Sequence, residues 1–133
     1  MITPYFIGIA GGTASGKSTI AKKLYNYYGS SKAIIIDQDS YYKDTNLSLS
    51  DREIINYDHP DSIDIELFHS DLIELKNNNS IMKPVYNFST HTRNPKLKAI
   101  KPKKIIIVEG TLLFHFKQLT KLMFLKVFMQ TPN

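Results

Sequence analysis

The apolar positions of this chain switch between strand-like runs and helical spacing in a fixed order. YFIGIA (5–10) is a short apolar run that ends in glycines, and STIAKKLYNYY (18–28) places Ile20, Leu24 and either Tyr27 or Tyr28 on one helical face. This predicts strand, loop and helix. AIIID (33–37) is a continuous run of mostly β-branched residues, the pattern of a parallel-sheet strand covered on both faces. A βαβ unit therefore opens the chain. SDRE (50–53) has the form of a capping box, in which a serine hydroxyl and a glutamate side chain satisfy each other's free N–H groups, and it predicts a short helix. A longer helix is expected from about Ile63, with Ile65, Phe68, Leu72 and Leu75 on one face and NNN (77–79) as its stop. IMKPVYNF and KLKAIKP flank the turn-rich STHTRNP, predicting a small hairpin over about 81–102. KIIIVE (104–109) and LKVFM (125–129) supply two more strands.

The loop between the first strand and helix reads GGTASGKST (11–19), which fits G-x-x-x-x-G-K-[ST] through Gly11, Gly16, Lys17 and Ser18. Such a loop turns backbone N–H groups inward on phosphates, and the new helix adds its positive dipole end. Gly11, Gly12, Thr13, Ala14, Ser15, Gly16, Lys17, Ser18 and Thr19 are thus the expected nucleotide cradle. Lys17 would span the β- and γ-phosphates, and Ser18 would offer a hydroxyl to Mg²⁺. Glu109, ending the run IIIVE, is placed to bring a carboxylate beside that metal; an acid there can also simply cap a turn. DQDSYYKD (37–44) follows the second strand directly, so Asp37 or Asp39 should emerge at the same sheet edge and accept a proton from an attacking hydroxyl. Spacing alone does not choose between them.

Composition narrows the class. A chain of 133 residues, 42% hydrophobic and 22% charged, suits one domain spanning 1–133. Without cysteine there is no disulfide or thiolate metal site, and no apolar run is long enough for export or a membrane span, so a cytoplasmic protein is expected. The formal charge of +5 comes from scattered lysines with one modest cluster, KLKAIKPKK (96–104), which lacks interleaved aromatics. No nucleic-acid partner is expected. Only Arg52 and Arg93 are arginines, a shortage for a phosphate-handling protein.

GIAGGTASGKST, DQDSYYKD, NYDHPDSID, PVYNFSTHTRNP and IIIVEG occur in the order and spacing of the uridine–cytidine kinase family, which the chain resembles from Phe6 to about Met129. The loop alone is generic, whereas NYDHPDS and PVYNFSTHTR are specific to that family. The resemblance implies a P-loop α/β fold of the mononucleotide-kinase type, a parallel sheet with helices on both faces and a small substrate-binding hairpin. It implies ATP or GTP as phosphate donor, Mg²⁺ as cofactor, and uridine or cytidine as the nucleoside phosphorylated on its 5′-hydroxyl, the reaction of pyrimidine salvage. Residue by residue, Asp39 matches the catalytic base, which also lies near the metal, and Lys17 its phosphate partner. Asp58 matches the acid on the ribose hydroxyls. Tyr86 and His91 match the pair that reads the pyrimidine, with Tyr42 and Tyr57 lining the pocket, and Arg93, on the hairpin tip, is counted with them among the substrate-binding residues. Glu109 matches the acidic metal-side residue, beside Ser18.

Family members continue past this point with an arginine-rich lid and a last strand, so the resemblance implies impaired turnover and an exposed strand edge that invites a homo-oligomer. Two alternatives stay open: a catalytically silent nucleotide-binding module, and another small-molecule kinase of the P-loop class.

Overall fold

The computed structural model describes residues 3–12, 15–44, 51 and 55–130. Strand β1 (Tyr5–Gly11) runs into helix α1 (Lys17–Tyr28), which returns through β2 (Ala33–Asp37). After a 3₁₀ turn at Gln38–Tyr41 and another at Pro60–Ser62 comes α2 (Ile65–Lys76). Short strands β3 (Ile81–Lys83), β4 (Tyr86–Asn87), β5 (Thr92–Arg93) and β6 (Lys98–Ile100) precede β7 (Ile105–Gly110), a 3₁₀ turn at Leu113–His115, α3 (Lys117–Thr120) and β8 (Met123–Met129). The predicted capping box at 50–53 lies outside the described residues, apart from Asp51.

Four strands form one parallel sheet in the order β2-β7-β1-β8. Alternation along the strands sends their side chains to opposite faces. Ile7, Ile9, Ile105 and Ile107 pack with Ala21, Ile20, Leu24 and Tyr28 of α1. Phe6, Ala10, Ile106 and Val108 face Phe68, Leu72 and Leu75 of α2. The helices therefore cover both faces, which is why β1 and β7 read as unbroken apolar runs. Tyr28 is the residue that continues the α1 stripe, while Tyr27 is 81% exposed.

Two expectations shift. Helix α2 begins two residues later than Ile63, because Ile63 is extended and Asp64 caps the helix, its carboxylate accepting from the Leu67 N–H at 3.2 Å. The hairpin is broken into two antiparallel pairs, β3 with β6 and β4 with β5. Pro84, which has no N–H to donate, stands between them.

Parallel register brings the chemistry to one edge. Ile9 and Asp37 both align with Glu109, so the end of β1, the end of β2 and the end of β7 open on the same side.

Candidate functional site

Gly11 ends β1 at φ 153°, and a Cβ there would sit 2.5 Å from the Met129 carbonyl oxygen and 2.7 Å from Ser15 Oγ. Only glycine lets the chain leave the sheet along this path. The loop then tightens, with the Ser15 N–H and hydroxyl both donating to the Gly12 carbonyl at 3.1 and 2.6 Å. Gly16 turns into α1 in the left-handed region at φ 87°. Thr13 and Ala14 lie outside the described residues; Thr19 is exposed in the first turn of α1.

Lys17 and Ser18 both converge on Glu109. The ammonium lies 3.7 Å from Glu109 Oε2, with each side chain 12% exposed, and the Ser18 hydroxyl donates to the same oxygen at 3.5 Å. Burial raises the Glu109 carboxyl above its ordinary value, Lys17 opposes the shift, and the charges of Asp39 and Asp37 add to it. Asp39 is likewise raised, by burial first and then by Asp37, against a hydrogen bond from Tyr42 and the charge of Lys17. Lys17, Ser18 and Glu109 thus meet in one site, where the charge of Asp39 is also felt. Its donors are hydroxyl and carboxylate oxygens, the set a hard cation such as Mg²⁺ takes when substrate phosphates complete the shell. Among the described residues no group of three or more His, Cys, Asp or Glu forms a metal cage.

The two candidate aspartates sit differently. Asp37 accepts from the Ser40 hydroxyl at 2.7 Å and lies 3.5 Å from the Lys83 ammonium, so it is built into the turn. Asp39 lies at the sheet edge between two buried neighbours, Gln38 and Ser40, with its residue surface open to solvent while the atoms crowded around its carboxyl still desolvate it.

Beyond Asp39, an aromatic pocket opens. The backbone of residues 41–43 is tied to 62–64 by the Asp64 N–H to the Tyr41 carbonyl and the Lys43 N–H to the Ser62 carbonyl, both at 2.8 Å. This brings Tyr42 and Tyr57 edge to face at 4.6 Å between ring centroids. Tyr86 of β4 closes on Tyr42 at 5.3 Å. The three rings line a cavity of about 240 Å³. The Tyr57 hydroxyl is 2.8 Å from the Tyr86 hydroxyl and 2.6 Å from His91 Nδ1. His91 sits in the left-handed region at φ 55°, a conformation that histidine tolerates better than most side chains. Burial raises the Tyr42 and Tyr86 hydroxyls, helped by Asp39 at Tyr42 and by Tyr57 at Tyr86, so both remain protonated donors.

Asp58 is exposed, its N–H donating to Asn56 Oδ1 at 3.1 Å, and it stands close enough for its charge to be felt at Tyr42. Arg93 is placed otherwise than a free hairpin-tip cation. Its Nη2 donates to Asp64 at 2.8 Å and its Nε to the Tyr42 carbonyl at 3.2 Å, so the guanidinium clamps the pair β4/β5 against the start of α2.

Three residues escaped the sequence reading. Phe88 packs on Tyr86 and Tyr57 at 4.9 and 5.6 Å, and its spacing of two from Tyr86 on an extended stretch was a usable signal. Lys83 and Gln38 are buried polar groups, and nothing local in sequence distinguishes them from surface residues. A larger cleft of about 660 Å³ lies between the start of α2 and residues 115–118, apart from the phosphate loop.

Comparisons with known proteins agree with this layout. The model of the phosphoribulokinase/uridine kinase family matches residues 6–133. A uridine kinase of Clostridium perfringens is 47% identical over 132 residues, covering 98% of this chain and 64% of that one. A uridine kinase of Brevibacillus brevis is 42% identical, covering 98% of this chain and 62% of its own length. The chain thus spans less than two thirds of the length of these relatives. Among solved structures, one described as a possible uridine kinase from Bacillus stearothermophilus superposes with a TM-score of 0.74 at 19% identity, covering all of this chain and 74% of the other, a likeness of fold.

Proposed function

The chain belongs to the phosphoribulokinase/uridine kinase family, and on that premise we propose that it holds a magnesium nucleoside triphosphate, ATP or GTP, and directs the γ-phosphoryl group to the 5′-hydroxyl of uridine or cytidine. The observation that carries this reading is Tyr42. Its ring lines the aromatic pocket while its hydroxyl bonds Asp39, so a nucleoside in the pocket presents its ribose to the acid beside the phosphate loop.

In this reading the loop backbone from Gly11 to Thr19 cradles the phosphates and Lys17 bridges the β- and γ-groups. Bound Mg²⁺, held by Ser18, Glu109 and Asp39 with phosphate oxygens, supplies charge neutralisation. Asp39 accepts the proton of the attacking hydroxyl. Asp58 takes the ribose diol, because a carboxylate accepts two hydrogen bonds at once. Tyr86 and His91, joined through Tyr57, hold the six-membered base. Pyrimidine salvage in the cytoplasm is the corresponding role.

A second reading, a nucleotide-binding module without useful turnover, is favoured by Arg93. Among the described residues it is the sole arginine, and its guanidinium is committed to Asp64 and the Tyr42 carbonyl. A cationic finger can be worth roughly 10³ to 10⁵ in rate, so turnover of this chain is expected well below the ordinary kinase range of about 1 to 100 per second. The deciding experiment incubates the 133-residue chain with Mg-ATP and uridine, cytidine, deoxyuridine or adenosine, and follows nucleoside monophosphate. Slow formation of the pyrimidine ribonucleotides alone supports the kinase, with Asp58→Ala erasing the preference for uridine over deoxyuridine. Triphosphate binding with no product from any acceptor supports the silent module.

A further inference from the structure

Lys83 is the buried lysine among the described residues, 6% exposed, and the proposed chemistry does not use it. It sits on β3, three positions before Tyr86, with its ammonium directed away from the pocket pair and into the turn after β2. There it donates to Ser40 Oγ at 2.5 Å and to the Pro84 carbonyl at 3.3 Å, and it lies 3.5 Å from Asp37 Oδ1. The Ser40 hydroxyl in turn donates a hydrogen bond to Asp37 at 2.7 Å. The lysine thus grips, in one cluster, the residue following Asp39, the last residue of β2 and the carbonyl at the root of β4.

The other flank of Asp39 is held as firmly. Gln38 Oε1 accepts from the Leu112 N–H at 2.8 Å, and the Gln38 side chain fills the space that a Cβ on Gly110 would need. Asp39 therefore stands in a turn pinned on both sides, and Lys83 is the pin that comes from the nucleoside-binding segment.

Burying an ammonium costs several kcal/mol unless it is well paired, and an apolar side chain of similar volume usually serves stability as well. What the charge offers instead is a fixed geometry. We propose that Lys83 is a positioning residue that couples the β4/β5 pair to the turn carrying Asp39, so that the placement of the base and the alignment of the proton acceptor are set together. The proposal rests on the kinase reading for its consequence, since a displacement of about 1 Å in the reacting geometry costs on the order of 10² in rate.

The test compares Lys83→Met and Ser40→Ala with the wild-type chain in steady-state uridine phosphorylation, Mg-ATP affinity by calorimetry and thermal midpoint. For Lys83→Met, kcat falls about 10- to 100-fold, the uridine KM rises, and Mg-ATP affinity stays unchanged. Ser40→Ala keeps the lysine but breaks the relay, and lowers kcat with little change in KM. In an Asp39→Asn background Lys83→Met brings no further loss of kcat, because its effect runs through that acid. Wild-type kcat in Lys83→Met, or a full additional loss on top of Asp39→Asn, overturns the proposal; if Lys83→Met does not fold, kcat of Ser40→Ala decides. Should the wild-type chain phosphorylate no nucleoside, the kinase reading has failed, and amide hydrogen exchange judges the coupling alone. Lys83→Met then accelerates exchange in both 38–42 and 86–93 while 17–28 keeps its protection, and unchanged exchange in 38–42 overturns it.

Discussion

The Tyr57 hydroxyl stands 2.6 Å from Nδ1 of His91, joining the segment before α2 to the turn between β4 and β5 across 34 residues of sequence. The same hydroxyl meets Tyr86 at 2.8 Å, so one oxygen orients both residues expected to read the base. Tyr57→Phe keeps the ring and its packing but leaves two polar groups without their shared partner. A hydrogen bond is worth about 0.5 to 1.5 kcal/mol net, so uridine affinity is expected to fall several-fold. Mg-ATP affinity, measured by the same calorimetry, stays as in the wild type; equal loss of both ligands would place Tyr57 in general stability instead.

Lys17 pairs with Glu109 at 3.7 Å, both largely buried, at the end of the loop expected to hold the phosphates. Lys17→Ala removes the charge that also restrains the rise in the Glu109 proton affinity. The expected outcome is loss of most Mg-ATP binding with the fold intact by circular dichroism. Undiminished affinity in the variant would mean that the loop does not carry the triphosphate.

Strand β8 forms one edge of the sheet among the described residues, and it carries Phe124 at 75% and Phe128 at 63% exposure on the same side of the strand. An exposed apolar edge strand invites pairing with a second copy. The 133-residue chain is therefore expected to self-associate with rising concentration in sedimentation velocity, and Phe124→Lys with Phe128→Lys to return it toward monomer. A wild-type chain that stays monomeric at high concentration contradicts this.

Asp71 offers a test of electrostatics away from the site. It is buried, and it accepts from the Tyr41 hydroxyl at 2.8 Å. Burial raises its carboxyl above the reference of 3.8, with the Tyr41 hydrogen bond opposing the shift. A folded-state value above the unfolded one means that the folded chain binds the proton more tightly, so stability declines as pH climbs from the unfolded value through the folded one. Asp71→Asn keeps an acceptor for Tyr41 and removes the ionisation. Its urea midpoint should exceed that of the wild type at pH 7, with the difference vanishing below about pH 4. A gap that persists in acid would assign the effect to packing.

Much of the architecture follows from local pattern. The apolar runs at β1, β2 and β7, the stripe on α1 and the glycine loop between them are each specified by neighbours within a few residues, because strand alternation, helical spacing and left-handed glycine geometry are short-range properties. The family-specific stretches around Asp58 and Tyr86 likewise name their residues without a fold. Tertiary structure alone decided which side chains meet. Asp37 is engaged by Lys83, a residue 46 positions away, and Arg93 by Asp64, 29 positions away. Those pairings depend on which buried charges find partners once distant segments close on one another, and the free energy of a buried charge is set by that closure and not by its sequence neighbours.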